Sequence, residues 1–146
     1  MNLPKYQLSA EKSLMVFEFV SVGRNGEIPK LIKFSETHIE GIFNLGFGDK
    51  DVKTGEIDDL KVSNNGDSEK VLATVVSAVY AFTDVYPEVW VYASGSTASR
   101  TRLYRMGINK YYEEVIKDFE VYGLFNGQWV TFDKKTEFEA FLVRRL

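Results

Sequence analysis

The chain has 146 residues, no cysteine and a formal net charge of −3. That length suits one domain of roughly 100–200 residues, and the missing cysteines exclude a disulfide framework, a thiolate metal site and a cysteine nucleophile. An acidic balance argues against bulk polyanion binding, so any anion recognition has to be local.

Residues 1–18 carry Lys5, Glu11, Lys12 and Glu18 with no unbroken apolar stretch, so they do not read as a signal peptide. No apolar run approaches the ~20 residues that span a bilayer. With the absent cysteines this predicts a cytoplasmic protein with no membrane contact. Residues 14–22 are rich in β-branched and aromatic side chains and predict a strand. Arg24-Asn25-Gly26 follows, and Asn-Gly between apolar runs predicts a type I′ hairpin, which needs φ > 0 at both central residues. The return strand is 31–34, with Pro29 at its start, where a missing N–H is tolerated. Ile39, Gly41, Phe43, Leu45 and Phe47 alternate with Glu40, Ile42, Asn44 and Gly46, the period of a half-buried strand. A fourth strand is expected over 56–62.

The period then changes. Asp67-Ser68-Glu69 offers an N-cap and an early acid. Val71, Val75, Val79, Phe82 and Tyr86 recur at helical spacing until Pro87. Residues 89–92 are apolar on both faces, as in a central strand. Ser94-Gly95-Ser96-Thr97 opens a second helix with Leu103, Met106, Tyr111, Val115 and Phe119 on its buried side. Gly107 is the expected break and Asn109 the cap of a following segment. Residues 120–125, Asn126-Gly127 and 128–132 form a second hairpin. Thr136 and Glu139 have capping-box spacing, which predicts a short C-terminal helix with Phe138, Phe141 and Leu142 on one side. The fold expected is α+β in one domain over 1–146. It has a mixed, mainly antiparallel sheet of about seven strands, two main helices and the short C-terminal helix, in the order β-β-β-β-α-β-α-β-β-α.

A helix joining the fourth and fifth strands predicts that those strands run parallel, with their C-terminal ends at one edge of the sheet. One end carries Asn64, Asn65 and Gly66, the other Gly95, Ser96 and Thr97, and both loops enter helix N-termini, where free N–H groups attract anions. Residues 49–69 hold seven acids against three lysines, whereas 97–110 hold Arg100, Arg102, Arg105 and Lys110 with no acid. Arginine grips phosphate in a bidentate fork. The candidate anion site is therefore Gly95, Ser96, Thr97, Arg100, Arg102 and Arg105, with Asn64, Asn65 and Gly66 as a second loop at the same crevice. Against this stand plain alternatives: serine and threonine at a helix start are caps, and arginines on a helix form a solvated face.

His38 is the only histidine and reads as a surface turn residue, so no metal site and no cofactor are expected. Asp58 and Asp59 are adjacent, point to opposite faces of a strand and do not form a matched pair. Gly46-Phe47-Gly48 suggests a bulge or bend rather than a nucleotide loop. Of Tyr111, Tyr112, Phe119, Tyr122, Phe125, Trp129 and Phe132, most are expected in the core. Nucleic-acid stacking would require an exposed aromatic sheet with a basic edge.

Residues 56–62, then Val91-Tyr92 and Arg102-Leu103-Tyr104-Arg105-Met106-Gly107-Ile108, resemble the fourth strand, fifth strand and following helix end of the acyl-CoA N-acyltransferase family. The resemblance implies that fold order from about residue 30 to 132, with Asp58 or Asp59 as base. That family holds the CoA pyrophosphate with a glycine-rich loop after the fourth strand. Here residues 64–70 have one glycine and two acids, which repel a pyrophosphate. The string at 95–104 also resembles an uncharacterised family of small bacterial proteins, a domain of unknown function.

Three functions follow from the residues. The first is a non-catalytic binding or regulatory protein that grips a phosphorylated small molecule or a nucleic-acid backbone at 94–105. The second is a divergent acyltransferase. The third is a homodimeric interaction protein using a strand edge or the C-terminal helix.

Overall fold

The computed structural model describes residues 4–58, 63–95 and 97–146. The described elements are β1 (Ser9–Ala10), β2 (Val16–Gly23), β3 (Gly26–Glu36), β4 (Ile42–Lys50), β5 (Ile57–Asp58), α1 (Ser68–Val85), β6 (Trp90–Ala93), α2 (Ala98–Lys110), α3 (Tyr112–Asp118), β7 (Phe119–Phe125), β8 (Gln128–Thr131) and β9 (Ala140–Arg145). The fold is α+β. One mixed, mostly antiparallel sheet runs β1-β2-β3-β4-β6-β9-β7-β8, with β5 paired to β4 beside β6. No helix among the described residues is long and apolar enough to cross a membrane.

One face of the sheet is covered by helices. Every second residue of β2, β3, β4, β6, β7 and β9 points to it, giving a core of Phe17, Phe34, Leu45, Val91, Val121 and Phe141 beneath Phe82 of α1. Phe82 is wholly buried and stacks on Phe34 with centroids 4.1 Å apart. Burying a side chain of this size contributes about 1.5–3 kcal/mol. Gly107, expected to break α2, instead lies buried inside it, where a Cβ would meet Leu72 at 3.4 Å and Val76 at 3.5 Å. A Cβ would fit there at ordinary contact distance, so the glycine does not break the helix, and the break falls at Tyr111. Met106, placed on the buried side by period alone, is 46% exposed.

The two Asn-Gly motifs behave differently. Asn126 and Gly127 both take positive φ, 50° and 76°, as a type I′ turn requires. In the first motif only Gly26 does, at 85°. The register pairs Gly23 with Gly26, so the loop is Arg24-Asn25 and the glycine follows it. Gly46-Phe47-Gly48 makes no bulge, because the β3–β4 register runs unbroken from Phe43 to Asp49.

Two expectations about the sheet are corrected. The strand parallel to β6 is β4, not the fourth strand of the sequence reading. Asp51 to Glu56 close a tight turn, with Gly55 at φ 75° donating to the Asp51 carbonyl at 2.7 Å, and β5 returns antiparallel on β4. The rest of that strand, residues 59–62, lies outside the described residues.

The C-terminal helix is a strand. Thr136, which would have capped it, donates instead to the Asp133 carboxylate at 2.8 Å. Residues 140–145 then insert between β6 and β7, so their backbone pairs on both sides. A helix of one or two turns is marginal, whereas this insertion closes two open sheet edges at once.

Candidate functional site

The chain leaves β6 at Ala93 and enters α2 at Ala98, and the loop between them supplies its own caps. Thr97 is extended (φ −133°, ψ 161°), and its hydroxyl accepts the Arg100 N–H at 3.2 Å. Thr101 Oγ1 accepts the Gly95 N–H at 3.0 Å. Gly95 is needed for that wrap, since a Cβ would sit 2.4 Å from both Arg100 Cβ and Thr101 N. Two of the N–H groups expected to face an anion are therefore spent inside the loop. Ser96 lies outside the described residues.

The three arginines separate into two groups. Positions 100 and 102 are about 200° apart around a helix, while 102 and 105 are about 60° apart. Arg100 reaches across to β4, donates to the Phe47 carbonyl and lies 5.5 Å from the centre of the Phe47 ring. Phe47 stands after Leu45, the last β4 residue paired with β6, and before Asp49, the first paired with β5. Arg100 thus ties α2 to the β4 backbone between its described pairings with β6 and with β5. Gly48 leaves room for it, as a Cβ there would be 2.8 Å from Nη1.

Arg102 and Arg105 line a groove of about 300 Å³ with Thr101, Glu137, Phe138 and Glu139. Arg105 donates from Nη2 to the Lys134 carbonyl at 3.2 Å, and its Nη1 lies 3.8 Å from Glu137. Its Nε is buried and has no hydrogen-bond partner among the described residues. Glu137 is 83% exposed, so it shields the guanidinium only weakly.

Asn64, Asn65 and Gly66 sit on the tip of the β2–β3 hairpin. Asn65 donates to Ser21 Oγ at 3.1 Å and to the Gly26 carbonyl at 2.9 Å, and accepts the Asn25 N–H at 2.6 Å. Asn64 accepts from Asn25 at 2.7 Å through its carbonyl. Gly66 takes φ 75° beside the Arg24 guanidinium. β2 and β6 are separated by β3 and β4, about 14 Å of sheet. The structure ties this loop to the hairpin and gives it no bond to the α2 loop among the described residues.

Sequence reasoning missed a buried polar cluster next to this tip. Lys30 Nζ donates to Asp49 Oδ1 at 2.5 Å and to Ser63 Oγ at 3.0 Å. Asp67, expected to cap α1, makes no side-chain cap. It accepts instead from the Tyr6 and Ser21 hydroxyls, each at 2.5 Å. Burial, and then the bond to Asp67, push the Tyr6 phenol above its ordinary value. The available signal was period: Lys30 falls between Ile28 and Ile32, and Asp49 two after Phe47, all on the inward side of their strands. Asp58 stands opposite Asp49 in the β4–β5 register, and Asp59 lies outside the described residues. His38 is exposed in a bend. Among the described residues no group of three or more histidines and acids is placed to hold a metal.

Between α1, α2 and the sheet there is a second cavity, of about 70 Å³, lined by apolar side chains and Gly107. The chain belongs to a family of unknown function, DUF6934, whose sequence model matches residues 2–146. No curated protein and no solved structure matches it.

Proposed function

We propose that this member of the family is a non-catalytic binding or regulatory protein that takes a phosphate group against the basic side of α2. The phosphate belongs either to a phosphorylated small molecule or to a nucleic-acid backbone. One observation carries the reading: Arg102 and Arg105 face a single groove, and Arg105 Nε is buried there without a partner among the described residues. An unsatisfied buried donor costs about 1–3 kcal/mol. An incoming oxyanion would satisfy it and accept a fork from a guanidinium already held by the Lys134 carbonyl. Within the anion site read from the sequence, the weight moves to Arg102 and Arg105, and Thr101, which was not among its residues, joins them on the groove. Gly95, Thr97 and Arg100 hold the scaffold.

A thermal-shift panel at low salt tests it, with pyrophosphate, nucleotides, coenzyme A and short oligonucleotides against the wild type and Arg102→Ala/Arg105→Ala. A ligand at a hundred times its Kd adds about 2.7 kcal/mol, and that gain should vanish in the double variant. A panel flat for every phosphorylated ligand sinks the reading. A second reading, a divergent acyl-CoA N-acyltransferase, draws on the placing of Asp58 opposite Asp49. Coenzyme A binding that survives the double variant but is lost in Asp58→Asn would favour it. A homodimer is compatible with either reading.

A further inference from the structure

We propose that the apolar space between α1, α2 and the sheet is a binding pocket for the short alkyl or acyl end of a small molecule. This inference does not rest on the anion groove, which lies on the other side of α2. Gly107 is about 140° round that helix from Arg102 and about 160° from Arg105. The pocket holds about 70 Å³. Its inner wall is buried: Leu72 and Val75 of α1 and Val91 and Phe141 of the sheet are each 5% exposed or less. Val76 of α1 and Ile108 of α2 line the same space but are only partly buried, so it opens to solvent between the two helices.

A second observation concerns Gly107 itself. Protein interiors close to near-crystalline density, and an unfilled space lowers stability in proportion to its volume. A Cβ at Gly107 would meet Leu72 and Val76, both in the pocket wall, at 3.4 and 3.5 Å. That is ordinary contact, so alanine would fit and take up part of the space. Alanine is also the better helix former in the middle of α2. The backbone does not call for glycine either, since Gly107 is not among the residues with positive φ. Glycine at this position forgoes both gains and leaves the space open, as a pocket that receives a ligand requires.

Chemistry and size select the occupant. An ordered water needs about two to four polar partners, which the apolar wall does not offer. A charged or strongly polar group would be buried there without a partner. A helix, about 10–12 Å across with its side chains, is far too large. A cavity of about 150 Å³ admits a benzene ring, and this one has about half that volume. A slim aliphatic chain of a few carbons meets every condition, entering between the helices and leaving its polar end in water.

The test is an isotope-edited NMR titration with xenon and with straight-chain alcohols from propanol to octanol. Each should shift the amides of Leu72, Val76 and Gly107 saturably. Burying one more methylene is worth about fourfold in Kd, so affinity should climb by that step with each carbon and level off once the space is full. The hexane diol with a hydroxyl at each end carries a polar group inward and should bind roughly tenfold or more weakly than hexanol. Gly107→Ala should weaken every chain. Val76→Phe, at the partly exposed rim, should block entry, and it keeps the test valid if Gly107→Ala does not fold. No saturable shift with xenon or any alcohol overturns the proposal. So does a diol that binds as tightly as hexanol. An affinity that rises through octanol and is the same in Val76→Phe as in wild type is adsorption to the surface, and equally overturns it.

Discussion

Lys30 of β3 and Asp49 of β4 are register partners, and their charged groups meet at 2.5 Å with side chains 9% and 2% exposed. The second Asp49 oxygen, Oδ2, is buried and has no partner among the described residues. The lysine is therefore the principal compensation for that charge. Removing one member of a buried pair costs about 3–5 kcal/mol, while replacing both with apolar groups is often near neutral. Lys30→Met should accordingly lower the unfolding free energy in urea by about 3–5 kcal/mol. Lys30→Met/Asp49→Leu should recover most of it. A single variant as stable as wild type would show that the pair matters little.

Arg100 and the pair Arg102/Arg105 should separate by readout. Arg100 is tied to the Phe47 carbonyl and ring, and a hydrogen bond from a charged group is worth about 1.5–3 kcal/mol. Arg100→Ala should lower the melting temperature without ligand present. Arg102→Ala, at an exposed side chain, should leave it within error and act only on ligand binding.

Gly107→Ala should stabilise the protein. The new methyl would stand 3.4 Å from Leu72 and 3.5 Å from Val76, at ordinary contact distance and beside the apolar cavity. Alanine in a helix interior is worth about 0.8–1 kcal/mol over glycine. Thermal unfolding decides it, and a lower melting temperature would mean that the α1–α2 contact has no slack.

Gly123→Ala should do the reverse. A Cβ there would fall 2.3 Å from the ring of Phe138, which is 5% exposed. The ring packs on Phe132 and Phe141 at 5.5 and 6.1 Å and has nowhere to move. Overpacking of this kind costs about 1–3 kcal/mol, measurable as a shift in the urea midpoint.

Acid should loosen the turn before β9. The Asp133 carboxylate accepts the N–H groups of Lys135 and Thr136, each at 2.8 Å, and the Thr136 hydroxyl. These bonds, the Thr136 hydroxyl first, hold its pKa below the ordinary aspartate value of 3.8. A depressed folded pKa stabilises above the ordinary value, and that contribution is lost as pH falls through the folded one. Amide exchange at Lys135 and Thr136, corrected for intrinsic rate, should show protection lost below about pH 4. Asp133→Ala should lose it at neutral pH as well.

How much of this was legible in the sequence varies by element. Leu45 and Phe47 declared β4 by alternation, and Phe82 declared α1 by helical spacing, because burial on one face imposes a period that any single strand or helix shows alone. Asn126-Gly127 declared its turn because few residues take positive φ on consecutive positions. Thr136 and Glu139 misled, since their spacing describes a cap only if the following residues stay helical. Open edges on β6 and β7, which are distant in sequence, drew residues 140–145 into the sheet instead. The basic segment at 97–110 was visible as charge, but the divergence of Arg100 from Arg102 and Arg105 needed the position of Phe47. The sequence by itself determined the fold class, part of the core and the place of the two hairpins, all of which follow from local period and turn chemistry. Only the tertiary structure decided which strand β6 joins, which arginines share a groove, and that Trp90, Tyr92, Tyr122 and Trp129 share the sheet face opposite the helices. Those outcomes depend on pairings between segments far apart in the chain, and local composition carries no record of them.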